Sequence, residues 1–305
     1  MEGKRRKRSR RPWVKTMAAA SAATVDLIYR GTPNRTLLLP ADQPDPTAWP
    51  DRGVHAAWLG HSTVLLKIDG FTIITDPVLF ERAGVHLGLM TLGIRRIVAP
   101  PLAIEQIRPV DLVLLSHAHM DHFDKRSLRQ LAGPKTHVIT ASKTGDLLIP
   151  RRWASVHELG WGSRVRVGPV TVHGLEVNHW GARVRTDVWR GYNGYLIECG
   201  RYRVMFGGDT AETDRFAHLP VRQKVDLAIM PIGAYDPWVY RHCTPEQSWR
   251  MGEDARAELF MPVHHQTFVL GREPFHEPID RLLDAAGARE KDVVLQRVGQ
   301  EFSLR

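Results

Sequence analysis

Seven residues, Ser116-His117-Ala118-His119-Met120-Asp121-His122, are the most informative stretch of this chain. They follow the apolar run Leu112–Leu115, which predicts a buried strand that ends where the polar side chains begin. Neutral imidazole nitrogens and carboxylate oxygens are both good zinc donors. The stretch therefore predicts a metal-binding loop at the end of a strand. A solvated polar loop is the alternative, and the His-x-His-x-Asp-His spacing argues against it.

Three further donors follow predicted strands later in the chain: His179, Asp209 and His264. The glycines before Asp209, Gly207 and Gly208, would let the backbone pass close to a metal or substrate. One donor at the end of each strand is the pattern expected if these strands end at one sheet edge. Seven donors exceed one tetrahedral zinc and suit two metals bridged by a carboxylate and a hydroxide. The candidate ligands are His117, His119, Asp121, His122, His179, Asp209 and His264.

The charge of the chain is concentrated at its N-terminus. The 305 residues are 43% hydrophobic, enough for one large core or two fused halves, and carry a net charge of +9. Residues 1–15 hold eight Lys or Arg and one Glu, so this segment carries +7 and the rest about +2 by difference. A nearly neutral body lacks the clustered cations of a phosphate track, which argues against a nucleic-acid partner.

Residues 1–53 are predicted to form a basic, flexible arm and linker ahead of one domain over residues 54–305. The arm has three interpretations. The segment Ser9-Arg10-Arg11-Pro12-Trp13-Val14-Lys15 resembles a twin-arginine export signal, a polybasic cluster also suits peripheral contact with anionic lipid, and the third is a disordered solubilising tail. We therefore expect the protein in the cytoplasm or at the membrane periphery, with twin-arginine export as the alternative. The sequence indicates no oligomeric state.

From Val54 onward, short apolar runs separated by turn residues predict many strands with a few helices between them. Helices are predicted over residues 127–131, 245–258 and 278–286. The second has the clearest start, because Thr244 can cap it and Pro245 suits its first position. Many strands with a few covering helices indicate a layered α/β or α+β domain.

The donor set resembles the ligands of the metallo-β-lactamase-fold hydrolases. Other segments are similar to one branch, that of N-acyl-phosphatidylethanolamine phospholipase D and its bacterial relatives: Trp58-Leu59-Gly60-His61-Ser62-Thr63, Thr75-Asp76-Pro77, Asn178-His179-Trp180 and Pro231-Ile232-Gly233-Ala234-Tyr235-Asp236-Pro237. The resemblance runs from about Trp58 to Pro278. It implies an α/β (α+β) fold, a four-layer αβ/βα sandwich of two similar halves.

The resemblance also implies which residues hold which metal. One zinc would be held by His117, His119 and His179, the second by Asp121, His122 and His264, with Asp209 bridging. Mn²⁺ or Fe²⁺ can occupy similar donor sets, so two Zn²⁺ is the first expectation and not the only one. His264 and His265 compete for one position, and the family pattern favours His264.

Three more residues match positions of the branch. Asp76 is expected to support the ligand loop by orienting a histidine or holding loop backbone, with an ordinary turn aspartate as the alternative. His242 is expected to donate a hydrogen bond to a phosphoryl oxygen or to protonate a leaving group, unless it is a surface histidine before a helix. His61 lies in a glycine turn and either contacts the site or is a buried hydrogen-bonded residue. Asp121 and His242 are the expected catalytic residues.

The implied activity is hydrolysis by a hydroxide held between two zinc ions. The first expectation is a phosphodiesterase of phospholipase D type acting on N-acyl-phosphatidylethanolamine-like or related phospholipids. A lactonase or esterase acting on a sugar-derived or acyl lactone is the alternative, and a purely structural metal domain is the non-enzyme alternative. Apolar residues in segment 83–90 are expected to line a lipid-facing groove or to be core, as are four tryptophans, Trp153, Trp161, Trp180 and Trp238.

Overall fold

The computed structural model describes residues 37–221 and 223–304 of the chain. Its helices are α1 (Ile104–Ile107), α2 (Lys125–Leu131), α3 (Pro245–Asp254) and α4 (Glu277–Ala286). Its strands, in chain order, are β1 (Val54–Trp58), β2 (Val64–Ile68), β3 (Phe71–Thr75), β4 (Arg82–His86), β5 (Thr91–Arg95), β6 (Leu112–Leu115), β7 (His137–Ala141), β8 (Ser155–Leu159), β9 (Arg164–Val167), β10 (Val170–Leu175), β11 (Gly194–Cys199), β12 (Tyr202–Phe206), β13 (Val225–Pro231), β14 (Ala257–Val263) and β15 (Glu301–Leu304).

Two large sheets pack face to face. The first has seven strands in the order β15-β1-β2-β3-β6-β7-β8, and the second has six in the order β14-β13-β12-β11-β10-β9. Apolar side chains of both sheets form a shared core between them, including Leu66 and Leu114 from the first sheet and Ile197 and Phe206 from the second. Strands β4 and β5 form a separate two-stranded hairpin.

Helices cover the outer face of each sheet. Leu128 and Leu131 of α2 pack with Val113 of β6 on the first sheet. Trp249 of α3 and Leu282 of α4 pack with sheet residues on the second. The molecule is therefore a helix–sheet–sheet–helix sandwich, and the predicted four-layer α/β fold is confirmed.

Strand β6 shows why its sequence is an uninterrupted apolar run. Leu112 and Leu114 point into the core between the sheets, whereas Val113 and Leu115 point towards the helix layer. Because both faces are buried, no polar residue is tolerated on either. The strand runs parallel to β3 and β7, so their carboxyl ends lie at one edge of the first sheet. In the second sheet β12, β13 and β14 are also parallel.

The three predicted helices are present, although one begins at Lys125 instead of residue 127, another at Glu277 instead of residue 278, and the third ends early. Helix α3 begins as predicted, with Thr244 and Gln247 forming a reciprocal capping box, but it ends at Asp254 instead of residue 258. Arg256 takes a left-handed φ of 58°, which stops the helix, and Ala257 already belongs to β14. Prediction missed α1, both strands of the β4–β5 hairpin, β8 and β15.

Part of the predicted N-terminal arm lies against the domain. Leu38 forms a parallel bridge with Val98, and Trp49 is buried in the core beneath the first sheet. Residues 1–36, including the basic cluster, lie outside the described residues, so the role of the arm stays a prediction. Among the described residues no helix is long and apolar enough to cross a membrane.

Candidate metal centre

The candidate ligands meet because they follow strands that end at one edge of the sandwich. The loop after β6 supplies four of them, and the segments after β10, β12 and β14 supply His179, Asp209 and His264. Two further residues come from the first sheet: His61 lies in the turn between β1 and β2, and Asp76 directly follows β3. The structure thus brings together every ligand that the sequence predicted.

One group of donors consists of His117, His119, His179 and Asp209, whose ligand atoms all lie within 4.8 Å of one another. The Nε2 atom of His117 is 2.8 Å from Nδ1 of His119, and Nε2 of His179 is 3.4 Å from that same Nδ1. This group matches the set expected for the first metal, with Asp209 included.

A second group consists of His61, Asp121, His122 and His264. The Nε2 atom of His122 is 3.6 Å, and that of His264 3.9 Å, from Oδ2 of Asp121. His61, which the sequence left between two roles, is buried and also touches the site, because its Nε2 lies 3.0 Å from Asp121 Oδ2. It is therefore a further donor to this group or a support for Asp121.

Asp209 lies between the two groups. Its Oδ2 atom is 3.1 Å from Nε2 of both His122 and His264 on one side. On the other side it is 3.9 Å from Nε2 of His117 and 3.7 Å from that of His179. A carboxylate oxygen at this midpoint has the position required of a bridging ligand.

Asp76 orients His122 and holds the ligand loop. The carboxylate lies 2.7 Å from Nδ1 of His122 and accepts the backbone N–H of Ser116 at 2.7 Å. Because an ionised carboxylate only accepts, it keeps a proton of His122 on Nδ1, so that Nε2 is the nitrogen that faces Asp209 and would hold a metal. Asp76 thus makes the two contacts expected from the sequence, one that orients a histidine and one that holds the loop backbone.

Two other ligands are oriented in the same way. Ser116 Oγ lies 2.8 Å from Nδ1 of His117 and donates its own proton to Asp76, so it links the two. The backbone carbonyl of Arg241 lies 2.8 Å from Nδ1 of His179. Each contact places the ring proton on Nδ1 and turns an Nε2 lone pair into the cluster.

Unpaired buried atoms within the cluster indicate that the donors fit divalent cations. The Nε2 atoms of His122 and His264 and Oδ1 of Asp209 are buried and make no hydrogen bond to the described residues. Leaving such an atom unpaired costs about 1–3 kcal/mol, and these atoms face one another. Cations held between them would satisfy all of them at once.

The pKa values of the cluster are set by burial and by its own charges. Burial lowers the pKa of His119 to about 4 and those of His61 and His242 to about 3, so these rings are neutral donors at neutral pH. Burial would also lower the pKa of His122, but Asp209 and Asp121 raise it well above its usual range. A metal ion must therefore displace the His122 proton.

The backbone around the site is strained and tightly packed. His61, Asp76 and His264 have φ angles of 53°, 33° and 64°, a left-handed region that non-glycine residues rarely adopt. Gly233 passes so close that a Cβ there would lie 2.2 Å from the carbonyl oxygen of His264. The guanidinium of buried Arg96 donates to three carbonyls, those of Leu59, Val78 and Val98, and so fixes the turn that carries His61.

His242 and His265 lie in different positions relative to the donor cluster. His242 is buried, not a surface residue, and its Nδ1 lies 3.8 Å from Asp209 Oδ2. The ring of His265 stacks on Trp58 with centroids 4.6 Å apart, away from both donor groups. His264 is therefore the member of the pair that reaches the cluster.

The four tryptophans expected to line a lipid-facing groove or to be core lie in different environments. Trp180 lies beside the site, with its ring centroid 4.5 Å from that of His119. Trp161 is half exposed and donates to the carbonyl of Tyr192. Trp238 is half-buried, and its carbonyl accepts the N–H of His242. Trp153 is buried in the core under the helix layer, which is the core alternative expected for it and not the groove.

Sequence reasoning missed Arg96, Arg183 and the carbonyl of Arg241. Arg183 donates to the carbonyls of Ala118, within the run of clustered ligands, and Phe123, directly after it. A backbone carbonyl leaves no signature in a sequence, and an arginine that binds only carbonyls looks like any surface arginine. No local pattern would have found them.

Comparisons with known proteins place the chain among metal-dependent hydrolases. Residues 72–265 match the family described as beta-lactamase superfamily domain. The structure of a metallo hydrolase from the archaeon Ignicoccus hospitalis shares the fold, with a TM-score of 0.61 at 18% identity, covering 83% of this chain and 99% of that one.

Two curated relatives cover most of the sequence. An uncharacterised protein of Mycobacterium tuberculosis is 32% identical, over 80% of this chain and 67% of its own length. The N-acyl-phosphatidylethanolamine-hydrolyzing phospholipase D 1 of Caenorhabditis elegans is 30% identical, over 79% of this chain and 72% of its own length. The chain belongs to the metallo-β-lactamase superfamily, and its relatives include N-acyl-phosphatidylethanolamine-hydrolysing phospholipases D.

Proposed function

We propose that this protein is a two-zinc phosphodiesterase of phospholipase D type, acting on N-acyl-phosphatidylethanolamine-like or related phospholipids. The similarity to the C. elegans enzyme carries this proposal, because it extends over 79% of the chain. The donor chemistry supports it, since histidine nitrogens mixed with carboxylates are a set that zinc prefers.

Asp209 and Asp121 have different roles at the site. Two such ions, when bound, would supply a water of lowered pKa and stabilise negative charge on a substrate oxygen. Asp209, with a side chain 2% exposed, is buried and links the two donor groups. Asp121, at 18%, faces the side from which a substrate arrives, with His61 holding its carboxylate from behind.

His242 acts as a neutral hydrogen-bond donor in this proposal. Its pKa, lowered to about 3 by burial, leaves almost no protonated form at neutral pH, and nearby cations would lower it further. A group with so low a pKa is a poor proton source for a leaving group. Its N–H instead suits a non-bridging phosphoryl oxygen, which is the first of the two roles expected from the sequence.

A cation and an aromatic ring border the same opening. The Arg241 guanidinium donates to the carbonyl of His179 and lies 5.5 Å from the centroid of the Trp180 ring. Its positive charge suits the anionic phosphodiester, and the ring suits an apolar group beside it.

The test is hydrolysis of defined lipids by chelator-treated protein reloaded with zinc. N-acyl-phosphatidylethanolamine, phosphatidylethanolamine and a panel of lactones are presented separately, and phosphatidic acid, its N-acyl ethanolamine partner product and the opened lactones are quantified by mass spectrometry. We expect phosphatidic acid from the phospholipids, activity lost in Asp121→Asn, and activity kept in the matched control Asp214→Asn, whose carboxylate is exposed. Opening of lactones without phospholipid turnover would refute the phospholipid assignment and favour the lactonase alternative.

A further inference from the structure

The β4–β5 hairpin presents large apolar side chains to solvent. Its turn, which we call the hairpin tip, carries Leu87, Leu89 and Met90, of which Leu89 is fully exposed and the others more than half exposed. Val85 and Leu92 continue the apolar surface along the two strands. Burying such side chains from water is favourable, so an exposed cluster of them marks a contact surface.

The base of the hairpin is anchored beside the metal centre. Ala83 and Ile94 pack with Val78 and Phe268 in a small buried cluster. The Phe268 ring in turn lies edge-on to His61, with centroids 5.1 Å apart. The hairpin therefore begins at the edge of the donor cluster. A surface that binds the hairpin tip would lie next to the metal centre.

The hairpin is positively charged. From residue 82 to residue 95 the sequence contains two arginines and no aspartate or glutamate, and of the two, Arg95 pairs with Glu81 at the base of the hairpin at 3.4 Å. Arg82 donates to the carbonyl of Gly93, and Arg126 from α2 donates to the hydroxyl of Thr91 while lying 3.8 Å from the Phe80 ring centroid. Both acceptors are uncharged, so these two guanidinium charges suit an anionic partner.

Two other loops at the site also expose apolar side chains close to arginines, although the second carries an exposed carboxylate, Asp236. The loop that follows Arg183 exposes Val184, Val188 and Trp189, and its one carboxylate, Asp187, is buried against Arg190. The loop before Arg241 exposes Tyr240. Exposed apolar side chains beside arginines thus border the metal centre on several sides.

We propose that the hairpin tip enters the apolar layer of an anionic phospholipid surface and holds the metal centre against it. Leucine and methionine suit the acyl region while arginines at the base suit the headgroup phosphates. A second copy of the chain fits less well, because a symmetric contact through this surface would bring like charges together. The inference rests on the proposed phospholipid function for its purpose, although its test does not depend on turnover.

The test is co-sedimentation of the full chain with vesicles of phosphatidylethanolamine and phosphatidylglycerol. It is run in about 0.5 M salt, where a Debye length of roughly 4 Å suppresses binding by the basic residues 1–15. Leu89→Glu removes the most exposed leucine of the tip and adds a charge, so we expect vesicle partitioning to fall at least about tenfold. The matched control is Leu39→Glu, because Leu39 is 86% exposed and lies outside the hairpin. We expect it to bind as the unaltered chain does.

A fluorescent label gives a second readout. Leu89→Cys is labelled with an environment-sensitive dye, with Leu39→Cys as control; the native Cys199 and Cys243 are buried and have raised pKa values, so they react slowly. We expect enhanced emission on vesicle addition from position 89 alone.

Equal binding by Leu89→Glu and the unaltered chain, or an unchanged signal at position 89, would overturn the proposal. A dimer that Leu89→Glu dissociates would instead assign the surface to a second copy. Docking without hydrolysis would refute only the proposed function, and hydrolysis of dispersed lipid without docking only this inference.

Discussion

Replacing Asp76 by asparagine should weaken metal binding while leaving the fold intact. The wild-type carboxylate accepts the Ser116 N–H through Oδ1, and through Oδ2 it accepts Ser116 Oγ–H and lies 2.7 Å from His122 Nδ1. An asparagine side chain can keep the first bond with its carbonyl oxygen, but it then presents an NH₂ donor to His122 Nδ1. The imidazole must move its proton to Nε2, the atom that faces Asp209 at 3.1 Å.

The size of the effect follows from that tautomer change. Substitution of a residue that orients a metal-binding histidine typically weakens metal affinity by about 10–100-fold, or about 1.4–2.7 kcal/mol. We expect a loss of this size for the metal that His122 binds and little change for the other. The assay is a zinc titration in competition with a chromophoric chelator, fitted with two sites.

Asp226→Asn is the control for this experiment. Asp226 also accepts a backbone N–H, from Arg203 at 2.6 Å, but it lies outside the donor cluster. Both variants should unfold at nearly the same temperature in the absence of metal, and only Asp76→Asn should gain less stability when zinc is added. Unaltered two-site binding by the Asp76→Asn variant would refute the argument that Asp76 sets the His122 tautomer.

Three further predictions concern packing and charge. Gly233→Ala would place a methyl group 2.2 Å from the His264 carbonyl, so we expect about 1–3 kcal/mol of destabilisation and weaker zinc binding, measured by thermal unfolding with and without metal. The His122 pKa is raised in the metal-free fold, so the stability contributed by this residue is full below about pH 6.5 and is lost as pH rises through the folded pKa. Calorimetry should show that the metal-free protein becomes less stable at alkaline pH and that zinc binding releases protons. A zinc affinity that does not change with pH would contradict this. Glu246→Gln breaks a partly exposed pair with Arg281 and should cost less than about 1 kcal/mol in urea unfolding at neutral pH. Because the Glu246 pKa is lowered from 4.5 to about 2, that difference should shrink as pH falls between these values, and a constant difference would exclude the pair as its cause.

The metal loop was predictable because its information is local. Four donors follow a strand whose two buried faces require the uninterrupted run Leu112–Leu115, and nothing distant is needed to recognise either feature. His179 and Asp209 needed one more step, the expectation that strand ends share an edge. It holds because β10 and β12, each antiparallel to β11 between them, run in the same direction.

Other features depend on tertiary contacts and left no local trace. The sequence could not choose between His264 and His265 without a register, and the structure separates them through the Trp58 ring. The β4–β5 hairpin escaped prediction because its apolar residues are exposed at the turn, contrary to the usual burial pattern, and Gly84 and Gly93 face each other across it. Ser116 was quoted as the start of the loop, but its link between Asp76 and His117 appears only in three dimensions.

The central claim is that one site holds two metal ions bridged by Asp209. The most direct test is the metal-to-protein ratio of the full chain after chelator treatment and equilibrium dialysis against micromolar zinc, measured by elemental analysis. The account predicts two zinc ions per chain, because the donors form two groups that share one carboxylate. A ratio of one or less would contradict it.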